Sequence, residues 1–378
     1  MKTKSAVLII VALVLAVSAL SGCLASNGND NEEVSETPKN GSPQSTASPE
    51  PSLVVGGVSD DEPDPVQGTP TVQEPMYINP LTGIASESDI SHTRPTAVIF
   101  NNKQKATPQR GIECADIIYE ISAEGGITRL VGVFMDISGA EQLGSIRSIR
   151  PYFVDIVKCI DPVVIHAGGS DDAYVKLKSE RITYIDGVNG SSQIFFRDAW
   201  RKSNVGYEHS LMVDTSLVPT YLEKKKIKTQ ISEIPDLGLS FGDSSADNGD
   251  AAKRLKVNLS SSKTTSFKFS ESDGLYYVSQ FGAFMTDENS GDQLAVKNVI
   301  IMKTKMKVID SEGRLAVTTT GSGDGWYACG GHYVPIKWSR KSTTEPFKYT
   351  LSNDSEVTMG AGVTYVCVIS SDMTASFE

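Results

Sequence analysis

The chain has 378 residues, 5 cysteines and a formal net charge of −11, long enough for two cored domains behind a leader and a tether. The charge is unevenly spread: residues 24–75 carry −9, and residues 76–378 carry −4. A slightly acidic folded part excludes a nucleic-acid binder, which needs a clustered basic face.

Lys2 and Lys4 precede an apolar run over residues 6–20, too short to span a bilayer comfortably, since about 20 residues are needed. The run ends in Leu20-Ser21-Gly22-Cys23, which resembles a bacterial lipobox. Residues 1–22 therefore read as a signal peptide, and Cys23 as the lipidated first residue of the mature chain. Residues 23–75 hold eight of the 17 prolines, much Ser, Asn and Gly and no aromatic residue. Such a segment cannot bury enough surface to offset its ordering entropy, so it reads as an acidic, unfolded tether reaching roughly 40 Å.

An N-terminal mixed α/β domain is expected over residues 76–228. Residues 96–100, 115–121 and 129–135 read as strands, the last two parted by a Gly125-Gly126 turn. Ile149, Phe153, Ile156, Val157 and Ile160 share one helical face, which predicts a helix capped by Ser148 with Pro151 in its first turn. Residues 163–167 form the next strand, Ser170 caps a second helix to about Lys178, residues 209–214 are strand-like, and Thr215 opens a last helix. Residues 229–252 read as a polar linker, and the short alternating runs of residues 253–378 as a small, mostly antiparallel β domain. The fold class is α+β. Cys114, Cys159, Cys329 and Cys367 permit one disulfide per domain or four free thiols.

Several motifs then occur in order: Asn79-Pro80-Leu81-Thr82-Gly83, Arg94-Pro95, Asn101-Asn102, Glu124-Gly125-Gly126-Ile127-Thr128-Arg129, and Gly144-Ser145-Ile146-Arg147-Ser148-Ile149-Arg150. Thr286-Asp287, Gln293-Leu294, Ile336-Lys337-Trp338 and Gly362 follow. The set resembles the YerB-like lipoproteins of Gram-positive bacteria over nearly everything after the tether. The resemblance implies an N-terminal α/β domain, a C-terminal β domain and attachment to the outer face of the cytoplasmic membrane; it carries no established activity. The chain departs from it at Gly206-Tyr207-Glu208-His209-Ser210, where the family tends to have Ala-Pro-His-Asn.

The first candidate site is anionic-ligand binding by Arg129, Arg147, Ser148 and Arg150, because guanidinium forks at a helix start suit phosphate or carboxylate. The alternative is internal pairing of these arginines with Glu120, Glu124 or Asp155. The second is acid–base chemistry at Asp116, Glu120 and Glu124, with Asp116 and Glu120 on one strand face; the alternative is salt bridging. His166, at a strand end before Gly168-Gly169, is a candidate base with Asp171 or Asp172, or else a hydrogen-bonded core residue. Trp326, Tyr327, Tyr333 and Trp338 read as core aromatics before sugar-stacking ones. Nothing points to a metal or cofactor: His92, His209 and His332 are scattered, and no G-x-S-x-G, Walker or H-E-x-x-H motif occurs.

The expectation is a surface lipoprotein that binds or scaffolds an anionic envelope ligand, such as a wall polymer, or a membrane-protein partner. The rival is a phosphotransferase-like envelope enzyme with an Arg-lined pocket and a carboxylate, similar only at fold level to the LytR-CpsA-Psr enzymes.

Overall fold

The runs at Thr96–Asn102 and Thr128–Phe134 are buried along their whole length and Ile117–Ser122 nearly so, without the alternation of a half-exposed strand. Each must therefore be covered on both faces. The computed structural model, which describes residues 77–190, 193–232 and 235–378, shows what covers them. The signal peptide, Cys23 and the tether lie outside the described residues.

The three strands belong to an eleven-stranded sheet that runs through both halves of the chain. From one edge its order is Asp250–Ala251, His332–Arg340, Gly321–Cys329, Asn298–Thr304, Thr364–Ser370, Ile117–Ser122, Thr128–Phe134, Thr96–Asn102, Val163–His166 and Tyr184–Asp186, with Lys348–Thr350 on His332–Arg340. The halves join where Thr364–Ser370 pairs in parallel with Ile117–Ser122, in register from Thr364 beside Ile117 to Val368 beside Ile121.

One face of this sheet carries a six-stranded antiparallel sheet built around Arg254–Ser260, Lys263–Ser270 and Leu275–Gln280. Leu255, Val257, Phe267 and Val278 there form one core with Ile118, Leu130, Tyr365 and Cys367. The other face carries the helices Pro151–Val157 and Asp171–Ser179, which bury Phe153, Ile156, Ala173 and Leu177 against Ala97, Ile99 and Val164.

The protein is thus mostly β, with short helices, where a more evenly mixed N-terminal half was expected. The stretch expected to be a linker is stitched into the fold: Ser240–Phe241 pairs with Thr358–Met359, and Asp250–Ala251 with the strand His332–Arg340.

The first helix starts at Pro151, not after Ser148, and Arg150 before it is extended. Residues 146–149 are held as extended chain by long-range backbone bonds, Ile146 N to Leu211 O, Arg147 N to Ile99 O and Ile149 N to Gly168 O. A residue preceding proline also disfavours the helical region. The second helix begins as expected, with Ser170 Oγ accepting from Ala173 N.

Tyr327 and Trp338 are core residues, while Trp326 and Tyr333 pack against Phe377. All four cysteines of the described part are free thiols. Among the described residues no helix is long and apolar enough to cross a membrane.

Candidate functional site

Thr96–Asn102, Val163–His166 and Tyr184–Asp186 run parallel, so their carboxyl ends lie side by side. In α/β sheets the chain leaves such an edge in opposing directions and opens a crevice there. Here the crevice is an open cleft of ≈ 420 Å³ lined by Arg147, Ser148, Gly168, Tyr174, Asn189, Arg197, Tyr207 and Glu208, among others.

Arg147 reaches the cleft because its backbone bridges the middle of the strand Thr96–Asn102 and the residue just past Val163–His166. Its N–H donates to Ile99 O at 2.8 Å, and its carbonyl accepts from Ala167 N at 2.9 Å. Gly168, at φ +74, supplies the left-handed turn that lets the chain close over this segment. The Arg147 Nη2 donates to Glu208 Oε2 at 3.2 Å, with Glu208 about half exposed.

Glu208 Oε1 lies 3.1 Å from His209 Nε2 and 3.8 Å from Lys103 Nζ. On the other ring nitrogen, Asn101 Nδ2 donates to His209 Nδ1 at 2.8 Å, while Asn101 Oδ1 accepts from Lys103 N. That orientation leaves the imidazole proton on Nε2, facing Glu208. Burial, joined by Arg147 and Lys103, lowers the His209 pKa against the pull of Glu208. Burial alone would raise the Glu208 carboxyl; Arg147, Lys103 and His209 outweigh it and bring it down. Across the mouth, the Arg197 guanidinium stacks 3.5 Å from the Tyr207 ring centre and donates to Tyr207 O.

Of the arginines singled out in the sequence, only Arg147 lines this cleft, and Ser148 lines it beside Arg147. Arg129 and Arg150 do not; both close on Glu124, Nη2 to Oε1 at 2.5 Å in each case. Burial opposes ionisation of Glu124, but Arg129 and Arg150 hold its pKa down to about 2. Arg129 also donates to Ser148 O at 2.6 Å, so it braces the Arg147 segment from behind. Asp155, another of the expected partners, pairs with Lys176.

The three acids expected to act together occupy three separate places. Asp116 accepts from Met135 N and Asn79 Nδ2, and burial raises its pKa. Glu124 belongs to the arginine pair. Glu120 is fully buried between the two halves, accepting from Asn102 Nδ2, Thr128 Oγ1, Thr265 Oγ1, Gln280 Nε2 and Tyr365 OH.

His166 is also buried; its Nδ1 faces Gly168 O at 2.9 Å, and its ring lies by those of Tyr174 and Tyr184. Its acidic neighbour is Asp186, 3.9 Å away, rather than Asp171 or Asp172. Burial lowers the His166 pKa. Asp186 is itself occupied by Gly168 N, Val188 N, Tyr174 OH and Asn189 Nδ2.

Sequence inspection passed over Lys103, Arg197 and Glu208. The position of Lys103, one residue past a strand ending at the same sheet edge as His166, was the available signal; the unusual Tyr207-Glu208 pair was another.

This arrangement is that of a two-part, β-rich protein with an arginine-bearing cleft at a parallel strand edge. The family models described as "Protein of unknown function (DUF3048)", N-terminal and C-terminal domains, match residues 81–228 and 255–366, and the chain belongs to that family. It is 28% identical over 264 residues to "Putative lipoprotein YerB" of Bacillus subtilis (strain 168), across 69% of this chain and 77% of that one. The crystal structure of the Bacillus subtilis YerB protein matches with a TM-score of 0.69 at 25% identity, over 79% of this chain and 99% of that one.

Proposed function

We propose that this protein is a lipid-anchored binding protein on the outer face of the cytoplasmic membrane, and that its cleft captures an anionic group of a cell-envelope ligand. Cys23 would carry the lipid, and residues 24–75 would hold the folded part away from the bilayer. The ligand would be a wall polymer or a membrane-bound partner.

The observation that carries this reading is the place of Arg147. Its guanidinium opens into a cleft of ≈ 420 Å³, a usual size for small-ligand sites, and its one acidic partner among the described residues is a half-exposed glutamate on a surface turn. Arg197 adds a second guanidinium from a different segment. The enzymatic alternative needs a carboxylate free to exchange a proton. Asp186, beneath the cleft, is filled by Gly168 N, Val188 N, Tyr174 OH and Asn189 Nδ2, and Glu208, half exposed on a surface turn, is the counter-ion of Arg147 rather than a positioned acid, so we retain binding.

Retention of the protein on purified envelope fractions tests the reading, with Arg147→Ala as the comparison. Wild type should be retained and Arg147→Ala released; equal retention would remove Arg147 from the site. Cys23→Ala should free the protein from the membrane, and continued membrane attachment of that variant would sink the anchor.

A further inference from the structure

The Glu208 carboxylate sits where an incoming anion would have to sit. Arg147 Nη2 at 3.2 Å, His209 Nε2 at 3.1 Å and Lys103 Nζ at 3.8 Å all converge on it. These donors come from separate stretches of chain, and two of them are fixed from behind: Arg147 by its backbone bonds to Ile99 and Ala167, and His209 by Asn101. Glu208 is the most exposed member of the group. It sits on the single turn Tyr207–His209, and its side chain is 52% exposed.

We propose that Glu208 is a resident counter-ion in a phosphate site. A phosphate monoester or diester takes its place between Arg147, Lys103 and the His209 Nε2–H, and Glu208 swings into solvent. This rests on the reading of the cleft as an anion site and deepens it by naming the group and the residue that guards it.

Charge favours phosphate over carboxylate. Among the described residues lining the cleft, Glu208 is the one acid; once it leaves, Arg147, Arg197 and the adjacent Lys103 present three positive charges. Donors spread over three directions match the oxygens of a tetrahedral group better than the two of a planar one. Exchange is easy because partly exposed ion pairs are weak and screened.

Calorimetric titration of the purified protein with inorganic phosphate and with soluble poly(glycerol phosphate) tests this. Glu208→Gln should bind about fivefold tighter than wild type, the equivalent of one partly exposed ion pair. Arg147→Ala and Lys103→Ala should bind more weakly. Thermal melting confirms that each variant is folded, and Glu208→Ser stands in should Glu208→Gln not fold. Tighter binding by Glu208→Gln with loss in Arg147→Ala establishes the exchange. If Arg147→Ala loses binding but neither Glu208 variant gains, the exchange is wrong and the cleft reading survives. If Arg147→Ala binds as wild type does, both fall; if no phosphate probe binds any form, the phosphate site is wrong and the cleft reading stands or falls on retention by the envelope fractions. Phosphatidylglycerol vesicles compared with the soluble polymer distinguish a lipid headgroup from a wall polymer as the source of the phosphate.

Discussion

Glu120 and Lys263 face each other between the two halves of the protein, Nζ to Oε1 at 3.5 Å, and neither side chain is more than 3% exposed. Lys263 also donates to Gln280 Oε1 at 2.6 Å and lies over the Phe281 ring. Glu120 comes from the central sheet and Lys263 from the sheet packed on it. The interface is therefore not purely apolar; it contains a charge pair whose hydrogen-bonding capacity is largely filled, the condition under which buried ions are tolerated.

Removing one partner should be costly. Lys263→Met is expected to destabilise the protein by about 3–5 kcal/mol, because Glu120 is left buried without a counter-charge. Adding Glu120→Gln should recover much of that loss. Urea unfolding of both single variants and the double variant measures the coupling, and strictly additive losses would show that the pair does not act as a unit.

The arginines should separate by role. Arg147→Ala touches a partly exposed pair and should cost at most about 1 kcal/mol of stability, while abolishing anion binding. Arg150→Ala should do the reverse, lowering stability by about 2 kcal/mol or more as the Glu124 cluster loses a member, with binding kept. A binding loss in Arg150→Ala as large as that in Arg147→Ala would mean the cleft extends further than its lining residues indicate.

Acid should act through Glu124. Its folded pKa of about 2 lies below the usual 4.5, a depression set by Arg129 and Arg150 against burial. The linked stability is fully present above pH 4.5 and drains away as the pH falls through 2. Glu124→Gln should be less stable than wild type at neutral pH by about 1–2 kcal/mol, solvent screening of the partly exposed carboxylate reducing the full linkage, and the gap should narrow steadily below pH 4.5. Chemical melts at pH 7, 4 and 3 test this, and a gap independent of pH would assign the loss to geometry rather than charge.

The histidines act in a higher window. His166 and His209 both have pKa values lowered from 6.5, chiefly by burial, so both favour the fold in the neutral state. Their contribution is present above pH 6.5 and is lost as protonation is forced at lower pH. The melting temperature should fall between pH 7 and 5. In His166→Asn, which keeps a donor for Gly168 O, the fall should be smaller; an unchanged fall would acquit His166.

The strands were legible because a run such as residues 97–100 is apolar without a break, and burial on both faces explains that. The start of the first helix was not, because the evidence against Ser148 as a cap lies in backbone partners at Ile99, Gly168 and Leu211. Pairing of Arg129 and Arg150 with Glu124 was among the alternatives the sequence offered. The role of Glu120 was out of reach: Thr265, Gln280 and Tyr365 lie 145, 160 and 245 positions further along the chain. The cleft was half visible, since Arg147 and Ser148 announce themselves, while Lys103, Arg197 and Glu208 join them only through folding.

The parallel seam between Ile117–Ser122 and Thr364–Ser370 sets an order of events. A chain emerging amino end first, from a ribosome or an export channel, displays the open backbone edge of Ile117–Ser122 long before its neighbour is available. Until then that edge is free to recruit any extended peptide nearby. The strand Thr364–Ser370 thus acts as a closing clasp, and a nascent chain stalled short of residue 364 should be digested by protease throughout its amino-terminal half.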